Sequence, residues 1–322
     1  MSSVLVTNLL RLAIIVYGGI FAVYFIRDCL QHKEDFKGKK VGTLLIIGLV
    51  TNFLDALGIG NFATIQACFK LTKSSPDETM PGTLNVGLAL VVVFEFLLFL
   101  GLVEVAPLTL VTMIAGAIAG SLVGARIVSR WSVRVVRLAL GSALIFLAFM
   151  MACRLLGVGP FGVVGTATAL TGAKLIISVL INFLLGALMT IGVGLYTPCI
   201  ALCSAMGLNI KAAFPMMFAS CAFLMPSCGF EFIKSGRYDR AASVYLTISG
   251  MVGVLIAFFI VKSLPLTVLT WIIIVVMLYT SFMFFRDGLK TPAASASSNI
   301  EDEIGAPVAS AGLEEQKKSK KN

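Results

Sequence analysis

Residues 41–69 read VGTLLIIGLVTNFLDALGIGNFATIQACF, and the fold turns on how this stretch is interpreted. It is apolar enough to enter a bilayer, yet longer than the roughly 20 residues of a simple span. Its middle carries Asn52, Asp55, Gly58, Gly60 and Asn61, residue types poorly suited to hydrocarbon. Each glycine lowers helix propensity by about 1 kcal/mol relative to alanine. The stretch therefore reads as two half-helices meeting at Gly58–Asn61, either a broken span or a re-entrant hairpin. Non-helical backbone at membrane depth persists only where protein covers it or where it lines a wet cavity. Such a break points to a transport site.

The remainder of the chain fits a membrane setting. Hydrophobic residues make up 58% of the 322, charged residues 13%, and mean hydropathy is +1.00. The net charge of +9 sits mainly in short connections and the tail, which is the pattern of cytoplasmic loops rather than of a nucleic-acid surface. Arg11 interrupts the first apolar run, and no small-residue cleavage site precedes the basic segment Arg27–Lys40, so that run is expected to stay as an anchor. The seven cysteines lack the paired spacing of a zinc site, and His32 lies in a basic loop. Neither a metal nor another cofactor is expected.

Apolar segments follow at about 10–26, 82–102, 106–128, 134–155, 173–205, 212–232, 241–262 and 265–285, with the broken stretch between the first two. The expected fold is an all-α polytopic membrane bundle divided into four parts. These are an N-terminal helix and basic loop over 1–40, a first membrane repeat over 41–159, a second over 160–290, and a disordered cytoplasmic tail over 291–322. A shift of 134 residues sets Gly58 on Gly192, Gly60 on Gly194, Pro81 on Pro215, Gly116 on Gly250 and Ser129 on Ser263. Each half reads as one over-long broken segment followed by three ordinary spans.

Charge bears on the topology. If each broken segment crossed once, the arginines at 126, 130, 134 and 137 would lie opposite Arg27–Lys40. If each returns to its own side, the strong basic loops and the tail share one side, as positive-inside bias favours. The hairpin arrangement also makes the repeats inverted, as in many transporters.

The second over-long segment contains NFLLGALMTIGVGLYTPCIALC, Asn182 to Cys203, an echo of NFLDALGIGNFATIQAC, Asn52 to Cys68. Gly192 and Gly194 are its break, and Thr197 and Pro198 fall in the turn beyond, where proline's missing N–H is tolerated. Half-helices beginning near Asn61 and Leu195 would aim free backbone N–H groups at the midplane, and helix N-termini favour anions. Close packing of the glycines is the plainer alternative. Asp55 and Glu95 are carboxylates within apolar segments, each costing at least about 2.5 kcal/mol to insert, and are candidate proton-coupling groups. A protonated Glu95 hydrogen-bonded to a neighbouring helix is an equal reading. The small-residue run GAIAGSLVG, Gly116 to Gly124, reads as close helix packing, and so do Cys199 and Cys203.

Two halves that each open with a glycine-broken apolar segment resemble the TauE/SafE family of sulfite and organosulfur anion exporters, over residues 42–286. In that family the break is a Gly-x-Gly-Gly-Gly run with a proline beyond. Here it is Gly58-Ile59-Gly60-Asn61-Phe62 with Thr64, and in the second half Gly192-Val193-Gly194 with Pro198. The family's Gly-Thr pair at the start of the next span corresponds to Gly82-Thr83 in PGTLN, whereas PMMFAS in the second half lacks it.

The resemblance implies a secondary transporter of a small anion such as sulfite, thiosulfate or an organosulfonate, working by alternating access in the plasma membrane with its C-terminus cytoplasmic. The candidate substrate-binding residues are Asn52, Gly58, Gly60, Asn61, Gly82, Thr83, Asn182, Gly192, Gly194, Thr197 and Pro198. The expected partners are that anion and the lipid bilayer, with a homo-oligomer left open and nucleic acid excluded. Two other readings stand beside it: an accessory or scaffold membrane protein, and an intramembrane enzyme built on an Asp55–Glu95 dyad.

Overall fold

The computed structural model describes residues 3–101, 105–124, 132–158, 165–189 and 195–290. The arginines at 126 and 130, the glycines at 192 and 194, and the tail at 291–322 lie outside them. The described residues form helices joined by short connections, with one isolated bridge, between Ala167 and Leu208, in place of any strand. In chain order the helices are α1 (Ser3–Gln31), α2 (Val41–Ala56), α3 (Phe62–Thr72), α4 (Met80–Phe99), α5 (Pro107–Ala119), α6 (Val133–Leu156), α7 (Gly172–Met189), α8 (Tyr196–Ala205), α9 (Ile210–Ser235), α10 (Arg240–Ser263) and α11 (Leu266–Lys290). Six of them, α1, α4, α6, α9, α10 and α11, are long and apolar enough to cross a membrane. The chain is a multi-pass helical membrane protein.

Both over-long segments are interrupted. The first stops at Ala56 because Gly58 and Gly60 take φ of +95° and +85°, a region that costs a side-chain-bearing residue about 1–2 kcal/mol. The second is described as helix up to Met189 and again from Tyr196, with Leu195 as the cap of the later piece. The offset of 134 residues read from the sequence carries Phe62, where α3 starts, onto Tyr196, where α8 starts.

The ends of each broken segment lie together. Lys40 Nζ, just before α2, donates to the Thr72 carbonyl at the end of α3 (2.8 Å). In the other half, Ala167 N–H donates to the Gly207 carbonyl (3.3 Å) and Asn209 N–H to the Ala167 carbonyl (2.8 Å), joining the approach to α7 with the exit from α8. The first pair of ends sits beside Asp239, the second beside Ala106 and Arg154. Helix α4 runs from one of these ends of the bundle to the other.

Packing places the breaks inside. Helix α10 packs on α2 and α4, α9 on α4, α6 on α11, and α5 on α7. A buried aromatic group of Phe99, Phe214 and Phe218 fills the space between α4 and α9, with centroids 5.0–6.1 Å apart. The small-residue run at 116–124 packs as its composition predicts. A Cβ on Gly120 would lie 1.8 Å from the Phe183 carbonyl, and one on Gly186 would lie 2.1 Å from the Ala117 carbonyl. Leu12, Ile20 and Val23 on α1, Phe146 and Phe149 on α6, and Phe282 on α11 point outward. Exposed apolar surface on that scale suits lipid and not water.

Candidate functional site

The first break touches the start of α8. Thr197, in the first turn of α8, is buried and donates its hydroxyl proton to the Gly58 carbonyl in the first break. Its oxygen also lies 3.1 Å from the Thr280 hydroxyl of α11. One side chain therefore links the first break, the second half-helix and the last helix. Pro198 follows it, buried, in the first turn of α8. A Cβ on Gly58 would meet Ile200 Cδ1 at 2.8 Å, so the first break packs directly on α8. Gly60 differs: among the described residues no atom lies within 4 Å of where its Cβ would be. The backbone there is open to close approach.

The N-termini of both half-helices face this region. Asn61 caps α3 and Leu195 caps α8, and neither makes a side-chain hydrogen bond to the first-turn N–H groups. Asn61 uses its side chain otherwise, donating from Nδ2 to Asn52 Oδ1 (2.8 Å). Asn52 in turn donates to the Gly48 carbonyl (2.7 Å), and both residues are buried. The pair ties the two arms of the first hairpin together across the break.

One turn beyond Asn52 on α2 is Asp55, and one turn beyond Val91 on α4 is Glu95. Asn52 and Val91 converge on Gly250 of α10, where a Cβ would lie 2.8 Å from Asn52 Nδ2 and 3.0 Å from Val91 Cγ2. The two carboxyls lie within electrostatic reach of each other. Both are fully buried, and among the described residues none of their four oxygens has a partner at hydrogen-bond distance and angle. The donors that face them are the Asn61 backbone N–H, toward Asp55, and the Tyr196 hydroxyl, toward Glu95. Tyr196 also sits against the Cys221 thiol of α9. An unpaired buried charge is expensive, and a carboxylate inside a membrane protein is by default functional. Among the described residues, neither carboxyl has an ion pair with a lysine, arginine or histidine.

Other residues singled out from the sequence lie elsewhere. Gly82 is at the start of α4, where a Cβ would lie 2.1 Å from the Arg237 carbonyl. Thr83 accepts from the Asp239 backbone N–H (2.9 Å) and donates to the Thr79 carbonyl (2.8 Å). These two residues hold α4 to the corner between α9 and α10. Asn182 is buried on α7 and donates to the Met113 carbonyl (2.7 Å), with its Oδ1 unpaired among the described residues. The structure thus brings together Asp55, Gly58, Glu95 and Thr197, with Asn52, Gly60, Asn61 and Pro198 around them. Tyr196, Cys221 and Thr280 join them without having been singled out in the sequence.

At the end of the bundle where the first hairpin returns, charges are paired. Arg240 donates from Nε to Asp28 (2.6 Å) and from Nη1 to Asp35 (2.7 Å). Lys39 Nζ donates to Asp239 (2.6 Å), which also accepts from Ser75 (3.3 Å) and from the Ala242 N–H (3.1 Å). Burial, and then the hydrogen bond to Asp28, push the Tyr238 hydroxyl above the ordinary tyrosine range.

No curated protein and no solved structure matches the chain. A family model does, and its match takes in α1, which lies outside the resemblance over residues 42–286, and ends before the second broken segment. Residues 1–151, just under half of the chain, match the model of the family described as Sulfite exporter TauE/SafE.

Proposed function

We propose that the chain is a secondary transporter that moves a small anion such as sulfite, thiosulfate or an organosulfonate across the plasma membrane by alternating access. The observation that carries this reading is the meeting of the first helix break with the start of the second half-helix inside the bundle, joined from Thr197 to the Gly58 carbonyl. Two half-helix N-termini facing one region supply partial positive charge without a buried cation. The family match over residues 1–151 supports an anion of this class as the substrate. Gly60, Asn61, Thr197 and Pro198 are the assigned surroundings of the anion, with Gly192 and Gly194 as their counterparts in the second half.

The same reading makes residues 41–159 and 160–290 inverted repeats. Support comes from the common offset of α3 and α8 and from the return of the two hairpins to different ends of the bundle. Seven crossings would then place the N-terminus outside and the C-terminus in the cytoplasm, with the basic loops.

Asp55 and Glu95 are assigned to coupling. A fixed negative charge beside the anion would repel it by about 4 kcal/mol, for unit charges about 4 Å apart at an effective dielectric of about 20. Protonation of the pair removes that repulsion, so anion and proton would travel together.

The test is flux of radiolabelled sulfite and thiosulfate into proteoliposomes of the purified chain, with Gly60→Leu beside the wild type. We expect flux in the wild type and none in a folded, inserted Gly60→Leu. Wild-type rates in that variant would place the site elsewhere.

A further inference from the structure

We propose that the cavity at the mouth of the first hairpin is a binding site for an oxyanion group, either a free sulfate- or phosphate-like ion or the phosphate of an anionic lipid. The cavity measures about 680 Å³ and lies between the start of α2 and the exit from α3. Lys39, Lys40, Lys70, Lys73, Ser74 and Ser75 line it. It is separate from the buried carboxyls and does not depend on the transport reading.

The pairing pattern around it selects the ligand's charge. Asp239 lies beside the cavity and is already engaged by Lys39, Ser75 and the Ala242 N–H. Lys40 donates to a backbone carbonyl, which leaves its charge uncompensated. Lys70 and Lys73 have no ion pair among the described residues. Three lysines without an ion pair among the described residues therefore line one concavity.

Lysines at the end of α3 also complement its dipole, but that role calls for no cavity. Lys73 is in addition held at φ +49°, a left-handed backbone seen at no other non-glycine position among the described residues. Leu71, between the two lysines, is 84% exposed, as a residue reaching the lipid boundary would be. Polybasic sites beside a membrane gain about 1 kcal/mol per lysine toward anionic headgroups.

The experiment uses the purified full chain in a neutral detergent. Sodium sulfate and sodium phosphate are titrated against sodium chloride at matched ionic strength, with binding read by calorimetry. A second arm measures retention of phosphatidylglycerol over phosphatidylcholine from mixed nanodiscs by native mass spectrometry. Lys70→Ala/Lys73→Ala should weaken binding about thirtyfold, whereas Lys33→Ala/Lys37→Ala, with equal charge loss outside the cavity, should leave it unchanged. Lys73→Gly relieves the left-handed backbone, so it keeps the fold, and it should weaken binding about fivefold. Binding in the ion arm identifies a free oxyanion, and retention in the lipid arm identifies a headgroup. Equal loss in the two double variants, or no preference over chloride and phosphatidylcholine in either arm, would overturn the site.

Discussion

Replacing Thr197 with valine is the sharpest probe of the meeting between the first break and α8. Valine keeps the shape and removes only the hydroxyl. Thr197 has one proton, which goes to the Gly58 carbonyl, so at the 3.1 Å contact it is Thr280 that must donate. The substitution therefore strands a buried carbonyl and a buried hydroxyl together. Each lost bond is worth about 1 kcal/mol, and somewhat less on average between membrane helices, giving a total of about 1–3 kcal/mol. If the contact exists only in this conformation, about 2 kcal/mol shifts the equilibrium between transport states about thirtyfold away from it. The assay pairs thermal unfolding in detergent with sulfite flux in proteoliposomes. Thr197→Val should lower both, and Thr197→Ser, which retains the hydroxyl, should restore both. A valine variant indistinguishable from wild type in unfolding and flux would refute the idea that the first break and α8 are coupled through this bond.

Asp55→Asn imitates a protonated carboxyl and should keep anion binding while losing the pH dependence of flux. Because Glu95 lies within reach of Asp55, Glu95→Gln should flatten the same profile rather than act as a neutral control; full wild-type pH dependence in both variants sinks the coupling assignment. Lys73 is exposed at the exit of the first hairpin. A cysteine there, in a cysteine-depleted background, should be labelled only from the cytoplasmic side, and labelling by an impermeant reagent on intact cells would contradict the proposed topology.

Much of the architecture was legible because the bilayer leaves few solutions. Glycines at 58 and 60 inside an apolar run had to break a helix, and GAIAGSLVG had to sit where backbones come close. The segment limits near 134–155 and 241–262 differ by only a residue or two from α6 and α10. The site was legible in part. Asp55 and Glu95 stood out by charge, but their proximity depends on α2 and α4 converging at Gly250, which no local pattern encodes. Tyr196 and Cys221 passed as ordinary apolar-run residues, since only their partners on other helices mark them. Asn52 and Asn61 read as ligands from composition, whereas their side chains hold each other. Gly82 and Thr83, carried over as part of a family motif, serve a corner formed by residues more than 150 positions away.

The lengths of the returning half-helices have an electrical consequence. Helix α3 has 11 residues and α8 has 10, so at about 1.5 Å per residue each spans about 15 Å, half of a hydrocarbon layer of about 30 Å. A monovalent anion resting where their tips meet would have crossed about half of the membrane potential. At about 2.3 kcal/mol per charge per 100 mV, binding from either side would then carry a voltage dependence of about 1.2 kcal/mol per 100 mV. Affinity measured from one compartment should rise as affinity from the other falls when the potential is reversed, and a neutral anion–proton pair would lose that dependence altogether.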